Sequence, residues 1–237
     1  MPLRRSWANS VTSSFPTDYV TLFPAAESPL REGQIWTNGL ADGLLWQDNI
    51  TDGSGLAFGT GTSSGFTDGI STIQNKFVGT KHYGFWRYHL QAGYTPTDSD
   101  EVELLLGFTI SANNAKGYEM DFGFGTSLIP VRWNGGSGDF TTSVFTTTSG
   151  AAFSVADGDI VLGRFDSTSG NAVISLWLNP SGATPAAQML NTPSVVYTDS
   201  TAGKILTGNP GFGTFVRPQA GFDMKKLCIN KFGAGNA

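Results

Sequence analysis

The sequence predicts an all-β protein: a two-sheet antiparallel β-sandwich of about 12–15 short strands with little helix. Three observations carry that expectation. Between Lys81 and Trp133, four runs (KHYGFWRYHLQA, EVELLLGFTIS, GYEMDFGF and LIPVRW) alternate apolar and polar residues at period two and are joined by turn-rich linkers. The 31 glycines and 11 prolines are dispersed without a collagen-like period, as many tight turns require. Apolar spacing of 3.6 never persists beyond two turns, and no solenoid or propeller repeat is present.

Taken in order, Phe15, Tyr19, Val20, Leu22 and Phe23 make a first strand stopped by Pro24, with a second break at Pro29, so residues 1–30 form an N-terminal strand or arm. Gln34–Trp36 and Leu44–Trp46 are short strands around the turn TNGLADG. Thr51–Gly69 is rich in Gly, Ser and Thr, and is either a brief strand at Leu56–Phe58 or a binding loop.

In the four central runs one face collects Trp86, Tyr88 and Leu90, then Val102, Leu104, Leu106, Phe108 and Ile110, then Tyr118, Met120, Phe122 and Phe124, then Ile129, Val131 and Trp133. The other face carries Tyr83, Arg87, His89, Glu101, Glu103, Glu119, Asp121 and Arg132. One sheet, wet on one side and dry on the other, is the expected result. After the turn NGGSGD, residues 140–148 favour a strand. DGDIVLGRF, the turn DSTSGN and AVISLWLN form a hairpin ended by Pro180. Ser181–Pro193 suits one helical turn or an edge strand. Gly211–Val216 and Gly221–Phe232 are the last strands, and 233–237 is expected to fray.

A length of 237 residues with 39% hydrophobic and 14% charged content is compatible with one domain over 1–237, having ample core and a surface of Ser, Thr, Asn and Gly. The net charge of −5 disfavours a nucleic-acid partner. Arg4 and Arg5, and Lys225, Lys226 and Lys231, read as solvated edges. Cys228 can form no internal disulfide and reads as a buried inert thiol. No apolar segment follows MPLRRSWANS and no run of about 18 apolar residues occurs, so neither conventional secretion nor membrane insertion is expected.

GYEMDFGF, IPVRWNGGSGDF, DGDIVLGRF with NAVISLWLNP, and GFDMKKLCI together resemble, over residues 30–232, the concanavalin A-like or laminin-G-like jelly roll. That resemblance implies a fold shared by lectins, glycosidases, polysaccharide lyases and virion proteins, and so no single activity. Its glycosidases use a Glu-x-Asp-x-x-Glu strand. Glu119 and Asp121 supply the first two acids, Phe124 stands at the third, and Glu103 can substitute only if the strand register brings it there. Its lyases use Arg, Gln, His and Tyr on one face; Tyr83, Arg87, His89 and Gln91 match in type, but the separate Gln-x-His and Tyr-x-Lys-x-Gly runs are missing.

Simple hairpins would set His89 opposite Glu103 and Asp121 opposite Arg132, giving cross-strand pairs that need no function. His82 and His89 lie on opposite strand faces and cannot share a metal. Gly59-Thr60-Gly61 and Gly123-Phe124-Gly125 open no helix and are not phosphate loops. Asn49-Ile50-Thr51 is a glycosylation sequon. No cofactor is expected; Asp42, Asp48 and Asp52 are the candidates for a calcium (Ca2+) loop. Trp177, opposite Ile174, Leu176 and Leu178, is either an outward sugar-stacking platform or a residue packed under a loop or a neighbouring subunit.

The leading expectation is a non-catalytic jelly-roll interaction protein of a phage virion, a capsid decoration or tail-associated component, not an enzyme, partnered by other virion or self subunits and by cell-surface carbohydrate. Cytoplasmic or non-classical extracellular placement are the alternatives. A carbohydrate-binding module using Arg87, His89, Glu119, Asp121, Arg132 and Trp177 is the second reading, and a polysaccharide lyase or glycoside hydrolase the third.

Overall fold

The computed structural model describes residues 19–44, 46–60, 68–74, 77, 79–96, 100–123, 128–135, 142–144, 155–181, 184–215 and 223–237. In chain order the strands are β1 Tyr19–Thr21, β2 Ala26–Glu27, β3 Trp36–Asn38, β4 Gln47–Asp52, β5 Ala57–Gly59, β6 Gly69–Ile73, β7 Lys81–Leu90 and β8 Glu101–Ser111. They continue as β9 Asn114–Gly123, β10 Leu128–Asn134, β11 Thr142–Val144, β12 Ile160–Asp166, β13 Ala172–Leu178, β14 Val195–Asp199, β15 Asn209–Phe215 and β16 Leu227–Asn236. Helix α1, Pro185–Gln188, is a single turn capped by the Thr184 hydroxyl.

Two sheets result. In sheet I the order is β2-β4-β5-β16-β7-β12-β13-β14, with β1 beside β16. In sheet II it is β11-β10-β9-β8-β15-β6, with β3 and the start of β4 on the far edge of β6. Strand β4 passes from one sheet to the other. Gln47 and Asp48 pair parallel to β6, and Asn49–Thr51 pair antiparallel to β5.

The all-β sandwich is as expected, but the single meander is not. Strand β7 pairs with β12 and β16 in sheet I, while β8, β9 and β10 form a meander in sheet II. The chain therefore changes sheets between β7 and β8, and the core is the space between the two sheets. Across that space Trp86 meets Phe122 edge-on at 5.2 Å, and Trp36 meets Phe212 of sheet II at 5.4 Å and Phe232 of sheet I at 5.0 Å.

The apolar stripe also divides. Val102, Leu104 and Leu106 face the core, but Phe108 and Ile110 join Leu105 on the opposite face of sheet II. The cause is a bulge between Leu106 and Thr109, where Gly107 takes φ +57° and shifts the alternation by one residue. The buried His82 ring stacks on Phe165, and its Nε2 accepts the Gly107 N–H at 3.0 Å. Burial pushes its pKa down to about 3, so His82 is a neutral acceptor that satisfies the bulge. On β10, Leu128 faces the core, while Val131 and Trp133 pack on the outer face of sheet II and Ile129 is exposed.

The tertiary structure also corrects or adds to the local expectations. Residues 233–236 do not fray, since β16 pairs with β7 as far as Asn236↔His82. Gly69–Ile73 and Val195–Asp199, which have weak alternation, are strands because neighbours pair with them. Lys231 is buried with its ammonium over the Phe85 ring at 5.8 Å, while Lys225 pairs with Asp52 at 2.8 Å; Arg4 and Arg5 lie outside the described residues. The sequon Asn49 is buried, its amide donating to Ser71 Oγ and Phe212 O and its Oδ1 accepting from Thr214 Oγ1. Cys228 is buried, as expected, and burial raises its pKa. Among the described residues no helix is long and apolar enough to cross a membrane.

An added Cβ at Gly107 would lie 2.9 Å from Phe165 Cε2 in a left-handed conformation. Gly107→Ala is expected to destabilise the protein by about 2–4 kcal/mol in chemical denaturation, the sum of the αL penalty and local overpacking. A loss within about 0.5 kcal/mol of wild type, the range of ordinary surface changes, would show that the bulge does not set the register.

Candidate functional site

The outer face of sheet II is built by a ladder that crosses five strands at one level: Ile129 (β10), Asp121 (β9), Glu103 (β8), Gly213 (β15) and Ile70 (β6). Directly paired residues share a face, so Asp121 and Glu103 are side by side. At the next level Val131, Glu119, Leu105 and Gly211 line up in the same way. One level in the other direction, Glu101 of β8 stands opposite Gly123, and Asp68 immediately precedes β6.

Glycine makes room for this arrangement. A Cβ at Gly213 would fall 1.8 Å from Glu103 Oε2, so the Glu103 carboxyl lies across a strand position that only glycine leaves open. One end of the face is closed by apolar side chains. Trp46 and Trp133 meet at 4.4 Å with Phe108, Leu105, Leu44 and Ile70 around them, and the Trp133 Nε1–H donates to Glu119 Oε2 at 2.5 Å.

The acids expected to face solvent are therefore buried at the centre of this face. Glu103 is 0% exposed, Glu119 5% and Asp121 6%. Among the described residues neither oxygen of Glu103 has a hydrogen-bond partner, nor does Oδ1 of Asp121. Among the described residues no lysine or arginine pairs with Asp68, Glu103, Glu119 or Asp121. Burial and mutual repulsion move all four carboxyls upward: Asp68, repelled by Asp121, to about 7; Asp121, through burial, to about 7; Glu103 and Glu119 well above the ordinary carboxylate range. They behave as a proton-sharing group, able to accept hydrogen bonds, to donate them, or to hold a cation.

Of the six predicted ligand residues, only Glu119 and Asp121 come together. Arg87 and His89 belong to sheet I, where Arg87 Nε donates to Asn230 Oδ1 and His89 lies 3.5 Å from Asp157. Glu103 pairs across the ladder with Asp121, and Asp121 with Ile129, so the expected His89–Glu103 and Asp121–Arg132 pairs do not form. Arg132 reaches the other way, with its Nη1 2.6 Å from the Asp199 carboxylate that the Tyr118 hydroxyl also engages. That network ties sheet II to β14.

Trp177 is no platform. It is 2% exposed, packs with Tyr83, Phe85 and Leu162, and donates its indole N–H to Asn191 O at 3.2 Å under the segment that follows α1. Asp42, Asp48 and Asp52 do not converge: Asp42 pairs with Arg31, Asp48 accepts the Ala41 N–H, and Asp52 pairs with Lys225. His82 and His89 are on opposite faces as expected. Phe124 and Gly61 lie outside the described residues.

Glu103, Glu101 and Asp68 belong to this acidic face without being among the six predicted ligand residues. The alternation Glu101-x-Glu103 repeats the alternation Glu119-x-Asp121 and is the signal that two strands bring acids to one face.

Raised carboxyl pKa values have a definite consequence for stability. The folded state binds more protons than the unfolded chain between the unfolded values near 4 and the folded values of about 7 and above, so stability from protonation is full below pH 4 and is lost as pH rises. His82, depressed to about 3, opposes this below pH 6.5, but by one proton against as many as four. In chelator-treated buffer the unfolding free energy is expected to fall by a few kcal/mol from pH 5 to pH 8, read by urea denaturation at each pH. A flat or rising profile would contradict the burial of the cluster.

No family model and no curated protein matches this chain. Solved structures do match. A beta-1,3-glucanase from Mycobacterium marinum is 11% identical, with 94% of this chain and 100% of that one covered at a TM-score of 0.50. The Ulex europaeus lectin UEA-II, complexed with galactose, is 9% identical over 94% and 99% of the two chains at a TM-score of 0.46. The carbohydrate-binding module CBM66 from Bacillus subtilis is 11% identical over 87% and 96% at a TM-score of 0.44. The chain has the concanavalin A-like jelly-roll β-sandwich fold.

Proposed function

We propose that this protein recognises carbohydrate through the outer face of sheet II, with Glu119, Asp121 and Glu103 as its polar contacts. The observation that carries the reading is the ladder Asp121–Glu103–Gly213, which sets buried carboxyls side by side over a glycine floor. Burying acids without partners costs several kcal/mol, and apolar side chains of similar volume would serve the fold better. Such a group is a functional-site candidate on physical grounds. Vicinal carboxyls suit a ligand that presents several hydroxyl donors, which a sugar ring does. The glucanase, at a TM-score of 0.50, accords with the reading at the level of fold alone. The virion role expected from composition draws no support from the fold or its neighbours.

On a glycan array the protein is expected to retain a defined set of sugars. Glu119→Gln and Asp121→Asn are expected to weaken the best of them at least tenfold, about 1.4 kcal/mol, while Arg87→Ala and His89→Ala on sheet I stay within about twofold. Binding that survives both acid substitutions, or no retained sugar, would remove the reading.

A second reading, glycan cleavage, is favoured by one observation. The acid missing from β9 is matched by Glu103 on β8, directly opposite Asp121. Product analysis on neutral β-glucans tests it. New reducing ends that disappear in Glu119→Gln would assign catalysis, with a loss of about 100-fold or more. Wild-type protein that binds a glycan and releases no product would assign recognition alone.

A further inference from the structure

We propose that Asp68, Glu101 and Glu103 form a divalent-cation site, with calcium as the ion that fits, at the β6–β8 side of the acidic face. One carboxyl oxygen from each of the three residues lies within 4.8 Å of the other two. Two oxygens bound to one calcium at about 2.4 Å are separated by no more than about 4.8 Å, so the spacing of the three keeps within the limit that a shared ion sets. Clustered acids are common without an ion, and a second observation singles this cluster out. Glu103 is completely buried, both of its oxygens lack a hydrogen-bond partner among the described residues, and the side chain is held over Gly213 towards Asp68 and Glu101. Buried acceptors on a native protein are nearly always satisfied. A cation gives the Glu103 oxygens the partner they lack and cancels most of the charge of the three acids.

The donor set narrows the ion. All three ligands are carboxyl oxygens, with no imidazole or thiol in the group, which selects hard cations over zinc or copper. Magnesium holds its ligands at about 2.1 Å in a strict octahedron and sheds water reluctantly, keeping few protein carboxyls around it, so a site of three acids suits calcium better. Glu101 is only half-buried and gives the ion a route in and a place for bound water. With an ion there, Asp121 and Glu119 would border a positive charge, a different surface from the four mutually repelling acids of the metal-free chain.

The inference stands apart from the carbohydrate reading, and its test contains no glycan. The full-length protein, stripped with EDTA and dialysed, is titrated calorimetrically with calcium chloride and then with magnesium chloride, and its Tm is measured with and without each salt. One saturable calcium site is expected, tighter than magnesium, with Tm raised by about 5 °C or more at a hundredfold excess over Kd. Asp68→Asn, Glu103→Gln and Glu101→Gln should each weaken calcium at least tenfold, whereas Asp157→Asn, at the exposed partner of His89, should leave it within twofold. Should Glu103→Gln fail to fold by circular dichroism, the half-buried Glu101→Gln decides. No saturable heat with no rise in Tm, or unchanged affinity in Glu101→Gln, overturns the proposal. Glycan binding that persists in EDTA would leave the sugar site intact whichever way the titration falls.

Discussion

Desolvation of carboxyl groups is the constraint around which sheet II is arranged. Backbone pairing sets Asp121 against Glu103 and Glu103 against Gly213, and the register offers neither acid a lysine or arginine among the described residues. In a sheet the side-chain period is two, so moving one acid out of the face would carry its whole strand with it, including the core residues Val102, Leu104, Tyr118 and Met120. The apolar core and the acidic face are two sides of one register and cannot be altered separately.

That register survives because each irregularity is compensated locally. The bulge at Gly107 leaves an N–H that ladder pairing does not use, and His82 accepts it from the opposite sheet. The same bulge sends Phe108 outward to pack with Trp46, the partner of Trp133, whose indole N–H holds Glu119. A chain of contacts thus runs from a backbone kink through three aromatic rings to a carboxyl of the candidate site. Arg132, Asp199 and Tyr118 do the corresponding work at the other edge, bonding β9 and β10 to β14 across the sandwich.

Both sheets also bury apolar residues on their outer faces, and this explains why the charge pattern misleads. On sheet I, Tyr83, Phe85, Leu162 and Trp177 are covered by the segment after α1. On sheet II, Trp46, Trp133 and their neighbours do the same. Strict alternation suggests one wet side per sheet, yet here a second small core lies on each supposedly wet side, and polar residues between its members are carried inside. Glu119 and Asp121 were legible as paired acids on one strand. That they are buried, and that Glu103 stands beside Asp121, depends on which strands become neighbours. Arg87, His89 and Trp177 looked equivalent to them in sequence and belong to the other sheet.

Alternation, turn residues and the absence of helical spacing were enough to determine from the chain alone that it is an all-β sandwich, that Trp86, Leu104 and Met120 are core, and that Cys228 is buried. These are local consequences of side-chain period and polarity. Tertiary structure alone decided that β7 leaves the meander, that Gly107 flips the face of Phe108, that residues 233–236 are held by β7, and that Asp68, Glu101 and Glu103 converge. Apart from the bulge, which lies within the β8–β9 hairpin, each of these follows from contacts between residues distant in the chain, and hydrogen-bond registry across such distances leaves no periodic trace in either strand.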